Sequence, residues 1–209
     1  MKNNYLISTG GSGGHVIPAT ILHEHLSQEN DVIISTDKRG LKYLNKDIFT
    51  LEIINTPKLN NILFLPLTFL SILFLTFRSI LLLKRKKIKK LISTGGYMSL
   101  PLIFAAKIIR LDIYLIEPNQ VLGRANKFFL NSCKYIFCYS KNIKNFPDIY
   151  EKKKVIINPL VKKKIYYLKS FTPKSKKFTI LIVGGSQGAS IFDNELKESI
   201  VKISGKTSI

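Results

Sequence analysis

The sequence predicts an α/β fold built on a parallel sheet, and three glycine-rich turns carry most of that prediction. A short apolar run leads into each turn, at residues 9–15, 94–97 and 184–188. Apolar runs of strand length elsewhere alternate with segments long enough for helices, as expected for parallel strands joined by crossover helices. Glycines at such turns allow positive φ, and the free N–H groups of the next helix favour a phosphate. We therefore expect a phosphorylated or nucleotide ligand.

The elements follow from the apolar runs and the helix signals between them. Strands are predicted at residues 6–8, 31–35, 51–55, 91–93, 112–116, 135–139, 155–157 and 180–183. Pro18 and Pro101 follow the first two glycine turns, and each is expected near a helix start, where its missing N–H has no effect. Ligands of an open α/β sheet bind outside the carboxyl ends of the strands, which is where the glycine turns must lie.

The chain has 209 residues, enough for one complete α/β domain and part of another. We expect the first domain over residues 1–165, an interdomain linker over 166–177 around Pro173, and the start of a second domain over 178–209. One strand–turn–helix unit cannot bury its own sheet face. The sequence is therefore expected to be truncated in its C-terminal domain.

The charge and the cysteine content of the chain indicate which partners and which kinds of site to expect. The formal charge is +20 and the sequence pI about 9.9, which favours polyanionic partners such as nucleic acid, anionic lipid or a phosphorylated substrate. Cys133 and Cys138 have no second pair and no nearby histidine for a metal site, so we interpret them as reduced, buried thiols. The N-terminus runs directly into a strand without the features of a signal peptide, which predicts a cytoplasmic protein.

An almost unbroken apolar segment, residues 62–83, is followed by a basic segment, residues 84–90. Its length suits a membrane span, but Pro66 and Arg78 lie inside it and one α/β pattern continues on both sides. We expect residues 62–90 to pack on the sheet and also to dock on an anionic membrane surface. A true span and an ordinary buried helix remain alternatives.

The spacing of the polar residues predicts that the apolar segment, as a helix, has one polar side. Helical periodicity sets Thr68, Ser71, Arg78 and Ser79 roughly on one side.

The basic segment, residues 84–90, also suits nucleic acid, but no aromatic-interleaved RNA motif or basic recognition helix accompanies it. We therefore expect no nucleic-acid partner.

The first glycine turn excludes two common nucleotide sites. Val16 stands where a dinucleotide fingerprint needs its third glycine, and no Gly-Lys-Ser/Thr of a P-loop follows. Asp37 ends the second predicted strand, where a dehydrogenase places its ribose-binding acid, so that alternative stays open. No Asp-x-Asp pair offers a metal site, and we expect neither a metal nor a cofactor.

Four ordered blocks give a specific resemblance. They are residues 10–19; 95–97 with Ala105 and Ala106; 117–119 with Gly123, Asn126 and Lys127; and 184–189. Together they resemble the MurG family of glycosyltransferases, which has the two-domain GT-B fold of Rossmann-like halves. Ile116 and Pro118 replace the histidine and glutamine that flank the family's glutamate, and Val161 stands where the family commonly carries an arginine.

The resemblance implies a reaction and its substrates. The family transfers N-acetylglucosamine (GlcNAc) from UDP-GlcNAc to the muramoyl 4-hydroxyl of undecaprenyl-diphosphate-linked lipid I. The product, lipid II, forms with inversion, on the cytoplasmic face of the bacterial plasma membrane and without a cofactor. Two alternatives remain: another GT-B enzyme with a lipid acceptor, such as the galactolipid synthases, and a non-catalytic membrane-binding half of a split enzyme.

The resemblance also implies roles for individual residues. Positions matching the family's donor-sugar site are Ser12, Gly13, Gly14, Asn119 and Ser186. His15 is the candidate for the base that the attacking hydroxyl needs, or for a diphosphate contact. Gly95, Gly96 and Tyr97 are expected on the side of the lipid acceptor.

Two further expectations follow from the same comparison. Glu117 is either an acid/base residue or the residue that orients its loop, and orientation is favoured. The part of the C-terminal domain that grips the uridine is absent from the sequence, so the chain alone is expected to turn over little or nothing.

Overall fold

A computed structural model of the chain describes residues 3–57, 65–167 and 196–204. Those up to residue 167 belong to one compact unit, and residues from 168 onward belong to a second. The described part of the second unit is the helix Lys197–Ser204. The third glycine turn with Ser186, and most of the predicted linker and second domain, lie outside the described residues.

The first unit is built on a seven-stranded sheet in which every strand is parallel to its neighbours. Its strands are β1 Asn4–Ser8, β2 Asp31–Thr36, β3 Leu51–Ile53, β4 Lys90–Ser93, β5 Asp112–Glu117, β6 Tyr135–Cys138 and β7 Lys154–Ile156. Their order is β3-β2-β1-β4-β5-β6-β7. The predicted α/β fold with a parallel sheet is confirmed.

Helices cover both faces of this sheet. They are α1 Gly13–Leu26, α2 Leu65–Arg85, α3 Leu100–Ile108, α4 Arg124–Phe129 and α5 Lys163–Tyr166, with 3₁₀ turns at Gly40–Tyr43, Tyr97–Ser99 and Asp148–Lys153. Alternate strand residues point to opposite faces. Leu6 and Leu91 accordingly join one core, with α2 and α3, whereas Ile7 and Ile92 join the other, with α1. Cys133 and Cys138 are free, buried thiols, as predicted.

The prediction that Pro18 and Pro101 each lie near a helix start is confirmed for one of them and wrong for the other. Pro101 lies in the first turn of α3, as predicted. The prediction for Pro18 is wrong, because α1 begins at Gly13 and Pro18 lies inside the helix. The helix starts directly in the glycine turn with Ser12 as its N-cap, so Pro18 leaves the carbonyl of Gly14 without its usual helical N–H partner.

The end of α2 is fixed by its backbone. The N–H of Ile88 donates to the carbonyl of Leu83 at 2.9 Å, and that of Lys87 to Lys84 at 3.0 Å. Lys87 has φ of 51°, so these bonds form the left-handed closing turn of a Schellman motif. Lys84 and Arg85 therefore belong to the helix, and the chain reverses within the basic segment to enter β4.

Seven large apolar residues of α2 face outward. Leu67, Phe69, Leu70, Phe74 and Phe77 are each 60–63% exposed, and Leu73 and Leu81 more than half exposed; we call these seven residues the apolar face of α2. The buried side carries Thr68, Thr76 and Ser79. The hydroxyls of Thr76 and Ser79 bond to carbonyls within the helix, at 2.8 and 2.7 Å, and so need no partner in the core.

The four polar residues that helical spacing sets roughly on one side of this helix differ in their exposure. Thr68 and Ser79 are buried, but Ser71 and Arg78 are exposed. Pro66 lies in the first turn of α2, where it does not interrupt the helix. By length and composition alone, residues 66–85 are long and apolar enough to cross a membrane.

Candidate functional site

The candidate site lies at the carboxyl ends of β1 and β4. These strands are neighbours, and the strand order runs outward from them in opposite directions, which makes this edge the topological switch point. Thr9 and Thr94 directly follow the two strands and are both fully buried. Their hydroxyl oxygens lie 2.8 Å apart in a hydrogen bond. The first two glycine turns therefore leave the sheet side by side.

His15 connects these two turns. Its Nδ1 lies 2.7 Å from the carbonyl oxygen of Thr94. Because a carbonyl only accepts, Nδ1 is the donor in this bond, so in a neutral ring Nε2 is the nitrogen with the free lone pair. No hydrogen bond from the described residues engages Nε2. The half-buried imidazole is thus oriented to accept a proton at Nε2.

The second glycine turn forms the floor beneath this imidazole. Gly95 has φ of 94°, and a Cβ there would lie 3.2 Å from Cε1 of His15 and 3.4 Å from Nδ2 of Asn126. Gly96 also has positive φ, at 89°. A side chain at Gly95 would therefore be strained and would displace His15.

Glu117, at the end of β5, organises the third loop of the site. Glu117 is only 1% exposed, and its carboxylate accepts four hydrogen bonds from N–H groups. They come from the backbone and side chain of Asn119 at 3.2 and 3.0 Å, the backbone of Gly123 at 2.8 Å and the side chain of Asn126 at 3.0 Å. This saturation with donors favours an orienting role for Glu117. The exposed Asn119 is held with its amide nitrogen turned inward.

Asp37, which the sequence offers only as a possible ribose-binding acid, pairs with Arg39 beside the first glycine turn. Asp37 is 6% exposed, and its Oδ1 accepts the N–H groups of Gly11 and Gly40, both at 2.9 Å. Its Oδ2 accepts from Nε of Arg39 at 2.9 Å. Burial raises the pKa of this carboxyl, but the two N–H donors and Arg39 outweigh burial and hold the pKa below its usual value.

These contacts bear on the dehydrogenase alternative. Both oxygens of Asp37 are engaged by the protein itself, so this carboxylate is not presented to a ribose. The sequence signal for the contact between Asp37 and Arg39 is an acid and an arginine separated by one residue, directly after a strand that ends at the same sheet edge.

The start of α1 presents backbone donors. Ser12 is the N-cap, but its hydroxyl makes no capping bond. Its carbonyl accepts the N–H groups of His15 and Val16 at 3.1 and 3.2 Å. Within the described residues, the N–H groups of Gly13 and Gly14 have no partner, as is usual for the first turn of a helix. No acidic residue lies in this turn, so it suits a negatively charged ligand.

The predicted site residues that the structure describes thus gather at one sheet edge. Three loops form this edge: residues 10–15, 95–97 and 117–126. Met98, which is 4% exposed, packs between the first two, because a Cβ at Gly10 or Gly11 would lie within 3.1 Å of its side chain. Ser186 lies outside the described residues.

Comparisons with known proteins agree with this architecture. Residues 5–138 match the glycosyltransferase family 28 N-terminal domain. The chain is 50% identical over 204 residues to the UDP-N-acetylglucosamine–N-acetylmuramyl-(pentapeptide) pyrophosphoryl-undecaprenol N-acetylglucosamine transferase of Pelagibacter ubique, and 38% identical over 208 residues to that of Rickettsia bellii. These matches cover 97% and 96% of the chain.

A solved structure shows the same fold. The crystal structure of Acinetobacter baumannii MurG superimposes with a TM-score of 0.74 at 24% identity, over 96% of this chain. The chain spans 57% of the length of that structure and of both curated relatives. The resemblance to the MurG family is confirmed, and the chain belongs to glycosyltransferase family 28 through the N-terminal domain of that family.

Proposed function

We propose that this chain provides the acceptor-binding half and the base of an inverting glycosyltransferase. The reaction moves GlcNAc from UDP-GlcNAc to the 4-hydroxyl of the muramoyl sugar in undecaprenyl-diphosphate-linked lipid I, which gives lipid II. The named activity of the curated relatives supports this choice of substrates. In this proposal Ser12, Gly13, Gly14 and Asn119 contact the donor, and Gly95, Gly96 and Tyr97 face the acceptor. Ser186 is proposed, from the resemblance alone, as a further residue that contacts the donor.

The geometry of His15 carries the proposal. Direct displacement at the anomeric carbon needs a base that removes the proton of the attacking hydroxyl. The bond from Nδ1 to the Thr94 carbonyl fixes the tautomer with a basic Nε2 and holds the ring on Gly95, between the two glycine turns. The N–H groups at the start of α1 supply positive potential close to that base, where a diphosphate leaving group would be stabilised.

The test joins the C-terminal part of a relative to the 209-residue chain. We call the 209-residue chain fused to the C-terminal remainder of the Pelagibacter ubique relative the extended chain. We expect the extended chain to transfer labelled GlcNAc from UDP-GlcNAc to a lipid I analogue, and the chain alone to transfer far less. A folded extended chain that transfers nothing, or that transfers label without the lipid acceptor, would contradict the proposal.

We also infer that the apolar face of α2 docks on the membrane that carries the lipid acceptor. Seven large apolar residues are exposed together, more than a soluble surface normally shows as one patch. Lys84, Arg85, Lys87 and Lys89 are exposed at the end of the same helix and just beyond it. Leu82 and Leu83 bury the inner side of α2 in the core, which supports docking over spanning. In this proposal the chain attaches peripherally to the cytoplasmic face of the plasma membrane, as the resemblance to the MurG family implies.

Vesicle binding measures the electrostatic and the apolar contributions to this docking separately. Changing Lys84, Lys87 and Lys89 to Gln should lower the partition coefficient on vesicles with anionic lipid by about 100-fold, at about 1 kcal/mol per cation. Changing Phe74 and Phe77 to Ser should weaken binding to anionic and neutral vesicles alike, because both lose apolar contact. Cosedimentation measures both effects.

The matched control for the charge change is the triple variant Lys152→Gln, Lys162→Gln and Lys164→Gln. Lys152, Lys162 and Lys164 are exposed and lie outside α2 and the basic segment. This variant carries the same net charge as the first and should bind within about threefold of the wild type, as expected for charges held away from the surface. Equal losses in the two triple variants would contradict docking through α2.

A further inference from the structure

The arginine beside the first glycine turn is held in an unusually defined position. Its Nε and Nη2 both lie 2.9 Å from Oδ2 of Asp37, and Nη2 also donates to the hydroxyl of Tyr97 at 2.5 Å. The guanidinium carbon of Arg39 lies 5.2 Å from the centre of the Tyr97 ring. One side chain thus contacts residues after β2 and after β4.

The anchored guanidinium remains accessible. The side chain of Arg39 is 42% exposed, whereas that of Asp37 is 8% exposed. None of the described residues accepts a hydrogen bond from Nη1. Nη2 also approaches the glycine turn, because a Cβ at Gly11 would lie 3.6 Å from it. A cation with free N–H groups is therefore fixed at the rim of the two glycine turns.

We propose that Arg39 binds the diphosphate of a substrate, and that Asp37 and Tyr97 are positioning residues that hold it for this contact. A planar guanidinium with free N–H groups suits phosphate oxygens better than a lysine does. Its two anchors reduce the side-chain entropy that is lost when a ligand binds. The inference rests on the proposed function only for the identity of the substrate, since both the UDP-sugar and the lipid acceptor carry a diphosphate.

The two glycine turns bring this cation close to the proposed base. Gly11 and Gly96 have φ of 78° and 89°, and the side chain of Met98 fills the space where a Cβ of either glycine would lie. His15 follows the first of these turns, and a Cβ at Gly96 would lie 3.8 Å from its Cδ2. A diphosphate held by Arg39 would therefore lie at the same sheet edge as the proposed base.

Binding of inorganic pyrophosphate to the 209-residue chain tests the inference without requiring turnover. By titration calorimetry at constant salt, Arg39→Gln should weaken pyrophosphate binding by about tenfold or more, the usual effect of losing a charge-assisted bond. Arg39→Lys should weaken it by about threefold, because it keeps the charge but not the geometry. Tyr97→Phe removes one anchor and should give an intermediate loss. If Arg39→Gln does not fold, the other two variants decide.

The control is Lys42→Gln, which removes an equal charge from an exposed residue of the adjoining 3₁₀ turn. It should change pyrophosphate binding less than twofold, as expected for a screened surface charge. Equal losses in Arg39→Gln and Lys42→Gln, an unaffected Arg39→Gln, or no pyrophosphate binding by the wild type would overturn the inference.

Competition by UDP-GlcNAc and by a short-chain polyprenyl diphosphate identifies the source of the diphosphate. The competitor whose affinity falls in Arg39→Gln is the one that Arg39 contacts, and an affinity unchanged for both overturns the inference. Arg39-dependent binding by a chain whose extended form transfers no GlcNAc would contradict the proposed function and leave this site intact. An extended chain that transfers GlcNAc, but whose pyrophosphate binding does not depend on Arg39, would support the proposed function and overturn this inference.

Discussion

Replacing His15 with Gln is expected to lower kcat of the extended chain by about 100-fold to 10,000-fold. Gln fills a similar volume and can still donate to the Thr94 carbonyl, which accepts from His15 at 2.7 Å, but it cannot take a proton from the attacking hydroxyl. KM for UDP-GlcNAc should change little, because the lost interaction arises in the transition state. Steady-state transfer to a lipid I analogue measures both constants.

The control for this substitution is His25→Gln on the same helix. The His25 ring contacts the Val161 carbonyl at 3.1 Å, away from the glycine turns, and its replacement should leave kcat within about twofold. Gly95→Ala perturbs the base indirectly, since a Cβ would meet the His15 ring at 3.2 Å, and should lower kcat with His15 still present. A folded His15→Gln variant that keeps more than a tenth of the wild-type kcat would contradict the base assignment.

The strands and turns of the first unit were predictable because they depend on local patterns. The apolar runs that become β1, β4 and β5 are buried on both faces, so their strand character shows in the residues themselves. Adjacent glycines before a helix likewise require no distant partner to be recognised. Pro18 was misjudged because the helix begins within the glycine turn, and turn and helix start overlap in the sequence.

The contacts that join the loops could not be predicted in the same way. The Asp37–Arg39–Tyr97 cluster and the His15–Thr94 bond link residues 58 and 79 positions apart. Their formation depends on β1, β2 and β4 lying side by side in the sheet, which the residue spacing does not specify. The side of α2 that faces the core was also hidden, because two of its hydroxyl residues, Thr76 and Ser79, satisfy their hydroxyls within the helix and can be buried.

Glu117→Gln is expected to lower the free energy of unfolding of the chain by about 2–4 kcal/mol. The carboxylate accepts four N–H bonds in a residue only 1% exposed. An amide of the same shape has an NH₂ group in place of one carboxylate oxygen. The N–H groups that donate to that oxygen then face another donor, so at least one buried N–H loses its acceptor. Urea denaturation should show a lower midpoint at an unchanged m-value.

The matched control is Glu52→Gln, which also removes one carboxylate charge from a strand. Glu52 is an edge-strand residue with a side chain 26% exposed and ion pairs of 3.5 and 3.9 Å, so its replacement should cost about 1 kcal/mol or less. In the extended chain, Glu117→Gln should also raise KM for UDP-GlcNAc, because it releases the Asn119 side chain that Glu117 holds at 3.0 Å. Equal stability losses in the two variants would show that the buried carboxylate does not organise this loop, and the orienting role of Glu117 would then be wrong.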